Sequence, residues 1–263
     1  MNQVATRIIS SDKVLPEYRH PSGRRYVGTW LVWLECPEIS KEARPGQFVM
    51  VRCGEETVLR RPLSIHQTEG GRFALLFVVI GKGTRWLAAR QPGDEVDILG
   101  PLGNGFTLSA DSGRLLLVAG GAGIAPLYFL AKDATKQGRE VTLLYGTANE
   151  YRYPVPSEVG EVAATEDGSV GYEGLVTDLI PRHVAHADQV FICGPLPMYR
   201  DIATRQGPLA GKPVQISLEM RMGCGLGVCY ACTVKTKHGL KQVCKDGPVF
   251  GLDEILWDEM TSI

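Results

Sequence analysis

The chain has 263 residues, 44% of them hydrophobic, and its 28 basic and 29 acidic side chains leave a formal charge of −1. A charge so close to zero argues against a nucleic-acid-binding protein. No run of 18 apolar residues predicts a membrane span, and the N-terminus lacks the basic-then-apolar order of a secretion signal. We therefore expect a cytoplasmic protein that is long enough to form several domains.

The first region, residues 1–109, carries many short apolar or alternating runs that are separated by Gly, Pro and charged turns. Strands at this spacing are typical of an antiparallel β-barrel. A barrel is therefore the predicted fold of the first domain. Its predicted strands lie within TWLVWLEC, GQFVMVRC, RRPLSIHQ, RFALLFVVI and DEVDILGPLG.

Two polar segments, RRPLS and GKGT, interrupt this apolar region and contain groups suited to phosphate. Arg61 offers a bidentate contact, and Ser64 supplies a hydroxyl beyond a bend fixed by proline. Gly83 and Thr84 offer backbone N–H donors where TRWLAARQ is expected to form a short helix. A plain turn that needs Pro or Gly has the same pattern, so these residues alone leave both interpretations open.

The second region, residues 110–215, twice repeats a buried strand, a tight turn and a helix. The first repeat is RLLLVAGGAGIAPLYFLAKDATKQG, the second is DQVFICGPLPMYRDIATRQG, and the strand EVTLLYG lies between them. Strands that are apolar throughout predict a parallel sheet with both faces covered, as in an α/β domain. Ligands of such a sheet bind at the carboxyl ends of its strands.

The turns of the two repeats are the candidate nucleotide site. GGAGIAP, with Gly121 and Gly123, offers free N–H groups and a helix dipole that favour a pyrophosphate, although a tight turn without a ligand is the alternative. Cys193, Gly194 and Pro195 form the second turn at the same sheet edge. One dinucleotide can therefore reach both turns.

The segment after the middle strand bears on the choice of nucleotide. YGTANE supplies Thr147, Asn149 and Glu150 for a ribose, without an immediate arginine for a 2′-phosphate. This pattern favours NAD over NADP.

The third region, residues 216–263, contains four of the seven cysteines, namely Cys224, Cys229, Cys232 and Cys244. Their spacing, CxxxxCxxC with a further cysteine downstream, is typical of plant-type [2Fe–2S] clusters. Glycines between them let the backbone approach a compact cluster and direct N–H groups at sulfur. Structural zinc is the alternative, but zinc ribbons usually have two CxxC pairs, and this segment has one.

The remaining features of the sequence are interpreted as structural. Cys36 and Cys53 follow strand-like runs and are predicted to be small buried hydrophobic residues. The closing LDEILWDEM is expected to form one or two helical turns that pack Leu252, Ile255 and Leu256.

Taken together, RPLS, GKGT, GGAGIAP, CGPLPM and the cysteine spacing resemble the ferredoxin-reductase family of flavoproteins over nearly the whole chain. Within this family, SLEMRMGCGLGVCYACTVK and VCKDGPVF are similar to the electron-transfer subunits of class-B dihydroorotate dehydrogenases. The resemblance implies FAD on the barrel and NAD on the two turns of the parallel sheet. The residues that it implies for FAD are Arg61, Pro62, Leu63, Ser64, Val78, Val79, Ile80, Gly83 and Thr84.

The resemblance also implies a function and a partner. A separate catalytic subunit with FMN would oxidise dihydroorotate, and this chain would pass the electrons through the cluster and FAD to NAD+ in pyrimidine biosynthesis. A flavin is needed there because a nicotinamide accepts two electrons as a hydride and a cluster transfers one at a time. The family implies two chains of each kind. Because a cluster must lie near the outer surface to meet its partner, Lys and apolar residues of 233–250 are the candidate interface. This chain would not bind dihydroorotate itself.

Two other functions stay open at this point. A related NAD(P)H-dependent iron–sulfur reductase subunit, serving a ferredoxin, sulfide or oxygenase partner, has the same kinds of motif. A zinc-stabilised nucleotide-binding regulator without redox turnover would use the four cysteines for zinc. Flavin and ferric sulfur absorb visible light and zinc does not, so the colour of the protein separates the regulator from the reductases.

Overall fold

A computed structural model describes residues 2–19, 23, 25–205, 207–209 and 211–260 of the chain. These residues form a closed antiparallel barrel, a seven-stranded sheet and two small two-stranded sheets. The predicted fold class, a β-barrel followed by an α/β sheet and a cysteine-rich region, is confirmed. Every helix found in these ranges is too short or too polar to traverse a bilayer.

The described residues of the barrel region form eight strands and two short helices. Their bounds are β1 (Asn2–Leu15), β2 (Tyr18–Arg19), β3 (Arg25–Tyr26), β4 (Thr29–Glu35), α1 (Pro37–Glu42), β5 (Phe48–Val51), β6 (Arg61–Glu69), β7 (Arg72–Val78), α2 (Lys82–Ala88) and β8 (Glu95–Leu102). Six strands close the barrel in the order β1–β4–β7–β6–β5–β8. Side chains alternate inward to form its core, as Val96 and Ile98 do along β8.

The predicted strand runs all form barrel strands, but the 14-residue β1 lies outside them. Among its described side chains only Thr6 and Ile8 are buried, so its sequence shows little apolar alternation. It is held as a strand because it pairs with β4 on one side and β8 on the other, which closes the barrel. The helix predicted at TRWLAARQ is α2, and it begins two residues earlier, at Lys82.

The α/β region follows the barrel and contains most of the second sheet. Its elements are β9 (Arg114–Gly120), α3 (Ile124–Lys136), β10 (Glu140–Thr147), β11 (Gly160–Thr165), β12 (Tyr172–Glu173), α4 (Ile180–His183), β13 (Gln189–Cys193), α5 (Leu196–Thr204) and β14 (Val214–Ser217). Neighbouring strands among these are parallel. β9 is buried except at its first residue, and β13 is buried throughout, as expected for parallel strands covered on both faces.

The cysteine region contributes to the same sheet. Its elements are β15 (Thr233–Thr236), β16 (Gly239–Gln242), α6 (Val243–Asp246), β17 (Val249–Gly251) and a 3₁₀-helix (Trp257–Glu259). β17 pairs antiparallel with β14, which completes the order β12–β11–β10–β9–β13–β14–β17. The predicted boundary between the second and third domains, at residues 215 and 216, falls inside β14. This strand also pairs with β17, so its backbone belongs to the sheet on both sides of that boundary. The limits of the three domains stay a prediction.

The segment LDEILWDEM, which the sequence predicted as helical turns, forms a turn and the 3₁₀-helix. Leu252 and Ile255 are buried there, whereas Leu256 is half-buried. One continuous core runs through all three regions, since side chains from β5, β9, β13 and the C-terminal segment contact each other.

Strand β6 of the barrel packs directly on helix α3 of the α/β region. The fully buried His66 ring lies 4.3 Å from the Tyr128 ring, and its Nδ1–H donates to the Ala125 carbonyl oxygen at 3.0 Å. Since a carbonyl only accepts, the proton of the neutral ring is on Nδ1. Lys132 donates to the Gln67 side chain at 2.9 Å beside this contact. The barrel and α3 are therefore joined by directional contacts as well as by apolar packing.

Asn104 joins the barrel to the segment that leads into β17. Its backbone N–H donates to the Gly247 carbonyl at 2.7 Å. Its side-chain amide donates to the carbonyls of Asp246 and Val249 and accepts from the Val249 N–H. The Asn104 side chain thus makes the hydrogen bonds that a neighbouring strand would make. The cysteine region is thereby attached to the barrel as well as to the seven-stranded sheet.

The buried His66 predicts a pH dependence of stability. Burial lowers the pKa of its ring to about 3, below the ordinary 6.5 of an unfolded chain. Below pH 6.5 the His66 ring binds a proton in the unfolded state but stays neutral in the folded state. The free energy of unfolding is therefore highest, as far as His66 is concerned, above pH 6.5, and it declines as the pH falls towards 3. Between pH 7.5 and 5, the free energy of unfolding should fall by about 2 kcal/mol more in the wild type than in H66Q.

Chemical denaturation at several pH values measures this difference. H186Q, which changes an exposed histidine, is the control and should follow the wild type. Parallel pH profiles for wild type and H66Q would show that His66 is not held neutral by burial.

Candidate functional site

Two turns meet backbone to backbone at the carboxyl edge of the parallel sheet. β9 ends at Gly120 and β13 ends at Cys193, with Ala119 opposite Cys193 in the parallel register. A Cβ on Gly123 would lie 2.0 Å from the Cys193 carbonyl oxygen, so only glycine fits there. Both predicted nucleotide turns therefore lie side by side.

The glycine turn has the properties of an anion site. Gly121 has a φ of +52°, and no atom lies within 4 Å of the place where its Cβ would be, so the backbone is open to a ligand. The N–H groups of the first turn of α3, which begins at Ile124, have no partners within the helix. These features fit a pyrophosphate. The assignment of NAD to Gly121, Gly123, Gly194 and Pro195 stays a prediction.

The Cys193 side chain points away from this edge into the protein. Its thiol is 1% exposed and lies 3.6 Å from the Ser217 carbonyl oxygen, and burial raises its pKa. Beside it, the buried Tyr199 hydroxyl donates to the same carbonyl at 2.6 Å and accepts from the Gly194 N–H at 3.0 Å. Cys193 can therefore offer only backbone atoms to a nucleotide, and Tyr199, which was not predicted, holds the turn in place.

Glu219 was also missed from the sequence. It lies two residues after β14, whose carboxyl end is at the same sheet edge. Its side chain is open to solvent, yet surrounding protein atoms still disfavour its charge and raise the pKa of the carboxyl. It was missed because β14 was not among the predicted strands, so no local pattern placed Glu219 near the carboxyl end of a strand.

On the barrel, the predicted phosphate groups lie together. The Arg61 guanidinium lies against Gly83, since a Cβ there would be 2.8 Å from Arg61 Nε, and it donates to the Leu59 carbonyl at 2.5 Å. The N–H groups at the start of α2 have no helical partners. A guanidinium beside free N–H groups fits the pyrophosphate of FAD. Pro62, Leu63 and Ser64 are half-buried along β6 next to it.

The other predicted FAD residues differ in what they can offer. The Val79 side chain belongs to the barrel core at 1% exposure, so it can contribute only backbone, whereas Val78 is half-buried and Ile80 is 54% exposed. The Thr84 hydroxyl accepts from the N–H groups of Ile80 and Gly81 and thereby fixes the turn. The FAD residues stay a prediction, with Arg61 and Ile80 as the side chains available for contact.

The four cysteines lie on one loop and the helix α6 that follows the hairpin. Cys232 and Cys244 are buried, Cys224 is half-buried and Cys229 is exposed. The Leu226 N–H donates to Cys224 Sγ at 3.2 Å. Two further N–H groups, of Gly227 and Cys244, donate to cysteine sulfurs at 3.1 and 3.4 Å. N–H groups directed at sulfur are what an iron–sulfur cluster requires to disperse its negative charge.

The four thiols influence one another, because Cys229 lowers the pKa of Cys224, and Cys232 and Cys224 add to burial in raising the pKa of Cys244. Burial raises the pKa of Cys224, but backbone N–H groups outweigh it and lower that pKa to about 6, which favours the thiolate. Among the described residues, no three His, Cys, Asp or Glu side chains are grouped to hold a single metal ion. The assignment of the four cysteines as ligands stays a prediction, supported by the N–H groups.

The cysteine loop packs directly on the barrel. Gly225 has a φ of +74°, and a Cβ there would lie 2.6 Å from the Met50 side chain, so glycine is required by both conformation and space. Met50 lies on β5 opposite Pro62 of the predicted FAD strand. A cluster in this loop would therefore lie next to the strand that is predicted to bind the flavin.

Comparisons with known proteins agree with this arrangement. Residues 219–256 match the family described as the iron–sulfur cluster binding domain of dihydroorotate dehydrogenase B. The chain is 40% identical over 245 residues to the dihydroorotate dehydrogenase B (NAD(+)) electron transfer subunit of Desulforamulus reducens, covering 88% of this chain and 93% of that protein. It is 44% identical over 232 residues to the subunit of the same name from Geobacillus kaustophilus, covering 83% and 89%.

Solved structures give the same fold. A chain from the NADH-dependent reduced ferredoxin-NADP oxidoreductase, studied for flavin-based electron bifurcation, is 32% identical with a TM-score of 0.84, covering 98% of this chain and 92% of that one. A ferredoxin reductase of carbazole 1,9a-dioxygenase, at 18% identity and a TM-score of 0.65, shares the fold over 82% of this chain and 68% of its own. The predicted resemblance to reductases is thus confirmed.

The cysteine assignment predicts that a single substitution removes the cluster. C232S, purified without oxygen, should lose most of its iron and acid-labile sulfide, because serine is a poor ligand for iron in place of thiolate. C36S changes a thiol that is equally buried but far from the loop in sequence, and it should keep both. Full iron in C232S, or zinc in place of iron in the wild type, would contradict the assignment.

The Arg61 contact predicts that a methyl group on Gly83 weakens FAD binding. In G83A the new Cβ displaces the guanidinium, and the loss of a charge-assisted hydrogen bond should raise the FAD dissociation constant about tenfold. Fluorescence titration of the flavin-free protein measures this constant. G160A, at an edge position where a Cβ makes only ordinary contacts, should bind FAD as the wild type does. Equal FAD dissociation constants for G83A and wild type would contradict the prediction that Arg61 binds FAD.

Proposed function

Because this chain belongs to the family of electron transfer subunits of dihydroorotate dehydrogenase B, we propose that it transfers electrons between a separate dihydroorotate-oxidising subunit and NAD+. The observation that carries this proposal is the cysteine loop packed on the barrel beside the predicted FAD strand, with Gly225 against Met50. The matched cysteine region and the relatives that share most of the chain support it.

The proposed route follows the three sites of the chain. When bound, the flavin exchanges two electrons with a nicotinamide and single electrons with an iron–sulfur cluster. Arg61 and the start of α2 would hold the FAD pyrophosphate. The turns at Gly123 and Gly194 would hold NAD on the neighbouring sheet edge, and the contact of β6 with α3 keeps the two nucleotide sites in a fixed relation.

The proposed partner is a catalytic subunit that contains FMN, in an assembly of two chains of each kind. Its docking surface would surround Cys229, because electrons leave or enter through the exposed side of the cluster. Apolar side chains are exposed around it, with Leu226 at 40%, Val228 at 70% and Tyr230 at 65%. Leu240, at 63%, extends this surface into the predicted 233–250 interface. Exposed apolar patches of this kind are typical of protein interfaces.

A second candidate function is that of a reductase subunit for another electron acceptor. The observation that favours it is the 32% identity over nearly the whole chain with a chain of the NADH-dependent reduced ferredoxin-NADP oxidoreductase. Both functions use the same three sites, so they differ only in the partner.

The proposed function predicts a division of activity. The purified holoprotein alone should reduce an artificial dye with NADH and show no activity with dihydroorotate. Adding the catalytic subunit of the same organism should produce NADH from dihydroorotate and NAD+, measured by absorbance at the nicotinamide band. Dihydroorotate oxidation by this chain alone, or no coupled activity with the catalytic subunit, would contradict the proposal and leave the second candidate.

A surface variant tests the docking site in the same experiment. V228D places a charge in the apolar surface, so it should keep NADH–dye reduction and lose co-purification with the catalytic subunit. V58D, at an exposed valine of the barrel, is the matched control and should keep both. Assembly that survives V228D would place the interface elsewhere.

A further inference from the structure

Arg152, in the connection between β10 and β11, is held by Glu161 of β11. Arg152 Nη1 donates to Glu161 Oε1, and the two side chains are only 22% and 26% exposed. The two side chains are therefore partly covered, although Glu161 as a whole residue is exposed at the start of β11. Among the described residues, neither side chain forms a hydrogen bond or ion pair with the turns already described.

The position of Glu161 turns the arginine away from the ligand edge of the sheet. Glu161 lies opposite Leu143 in the parallel register, and the last pair of the same two strands is Thr147 with Thr165. Four residues of strand, about 13 Å, thus separate Glu161 from the carboxyl edge. The N–H of Tyr153, next to Arg152, donates to the Tyr145 hydroxyl at 3.4 Å, so this part of the connection lies against β10.

In a dinucleotide-binding sheet, the adenine ribose is contacted near the carboxyl end of the second strand, which corresponds to β10 here. In such sheets an arginine near this position accommodates the 2′-phosphate of NADP. Here the turn after β10 is tied by the Thr147 hydroxyl, which donates to the Asn149 carbonyl, and by the Tyr151 N–H, which donates to the Asn149 side chain. Glu150 is exposed on this turn, and Arg152 is the first basic residue after it.

We propose that Glu161 determines the preference for NAD over NADP by holding Arg152 away from the ribose. The inference rests on the proposed NAD site and adds the residue that excludes the phosphorylated nucleotide. A 2′-phosphate would face the Glu150 carboxylate, and the nearest arginine of the segment would be engaged elsewhere.

The packing of the pair explains why Arg152 does not simply move to a phosphate. Its departure would leave the partly covered Glu161 carboxylate without the counter-charge that it contacts, which favours the paired state. The position of the Arg152 guanidinium nevertheless depends on Glu161, because Arg152 Nε is buried and has no acceptor among the described residues. Removing only the charge of Glu161 should therefore release the guanidinium towards the sheet edge.

The test compares nucleotide preference in E161Q and wild-type holoprotein, with dye reduction as the readout. In E161Q, kcat/KM for NADPH should rise about tenfold, the effect of one charge-assisted contact to phosphate, while that for NADH stays within about twofold. Adenosine 2′,5′-bisphosphate should become a correspondingly stronger competitive inhibitor against NADH. The double variant R152Q/E161Q should lose both gains, because the released cation is absent.

E158Q is the matched control, since it removes an exposed carboxylate of the same connection without touching Arg152. An unchanged NADPH-to-NADH ratio in a folded, FAD-loaded E161Q overturns the inference, and so does an equal gain in E158Q or a gain that persists in the double variant. Failure of the proposed function looks different: without an NAD site, wild type and variants would all fail to reduce the dye with NADH. If only the partner differs, the change in E161Q would remain while coupled activity with the catalytic subunit is absent.

Discussion

The contact of the cysteine loop with the barrel is the constraint on which the rest of the arrangement depends. Gly225 lies so close to Met50 that a methyl group would overlap with it, and Met50 faces the strand that carries RPLS. Electrons move efficiently only between groups that are held close together. A loop bound loosely to the barrel would leave that separation undefined, so close packing here serves the function as well as the stability of the fold.

The same requirement explains why the C-terminal region is fixed from several sides. β17 extends the parallel sheet, and Asn104 of the barrel satisfies the backbone groups of Asp246 and Val249 just before and within that strand. One core connects β5 of the barrel with β9, β13 and the cysteine segment. The regions therefore form one packed unit, although their strands belong to separate sheets.

Polar groups at the sheet edge divide between holding the turns and facing a ligand. Cys193 and Tyr199 are buried and bind backbone atoms of the turn and of Ser217. The backbone at Gly121, just before α3, is open to a ligand. The Arg152–Glu161 pair belongs with the groups that do not face the ligand. It would affect the choice of nucleotide because Glu161 keeps the positive charge of Arg152 away from the site.

The sequence by itself determined the features that are encoded by spacing along a short segment. The four-cysteine pattern, the two strand–turn–helix repeats and the five predicted barrel strands each depend on neighbours within about twenty residues, and each predicted element is present. Only the tertiary structure decided which atoms face the sites. It turned the Cys193 thiol and the Val79 side chain inward, joined β17 to β14, and directed Arg152 to Glu161. These outcomes follow from contacts between segments that are far apart in the chain or from the direction of a side chain, and the local pattern of residue types contains neither.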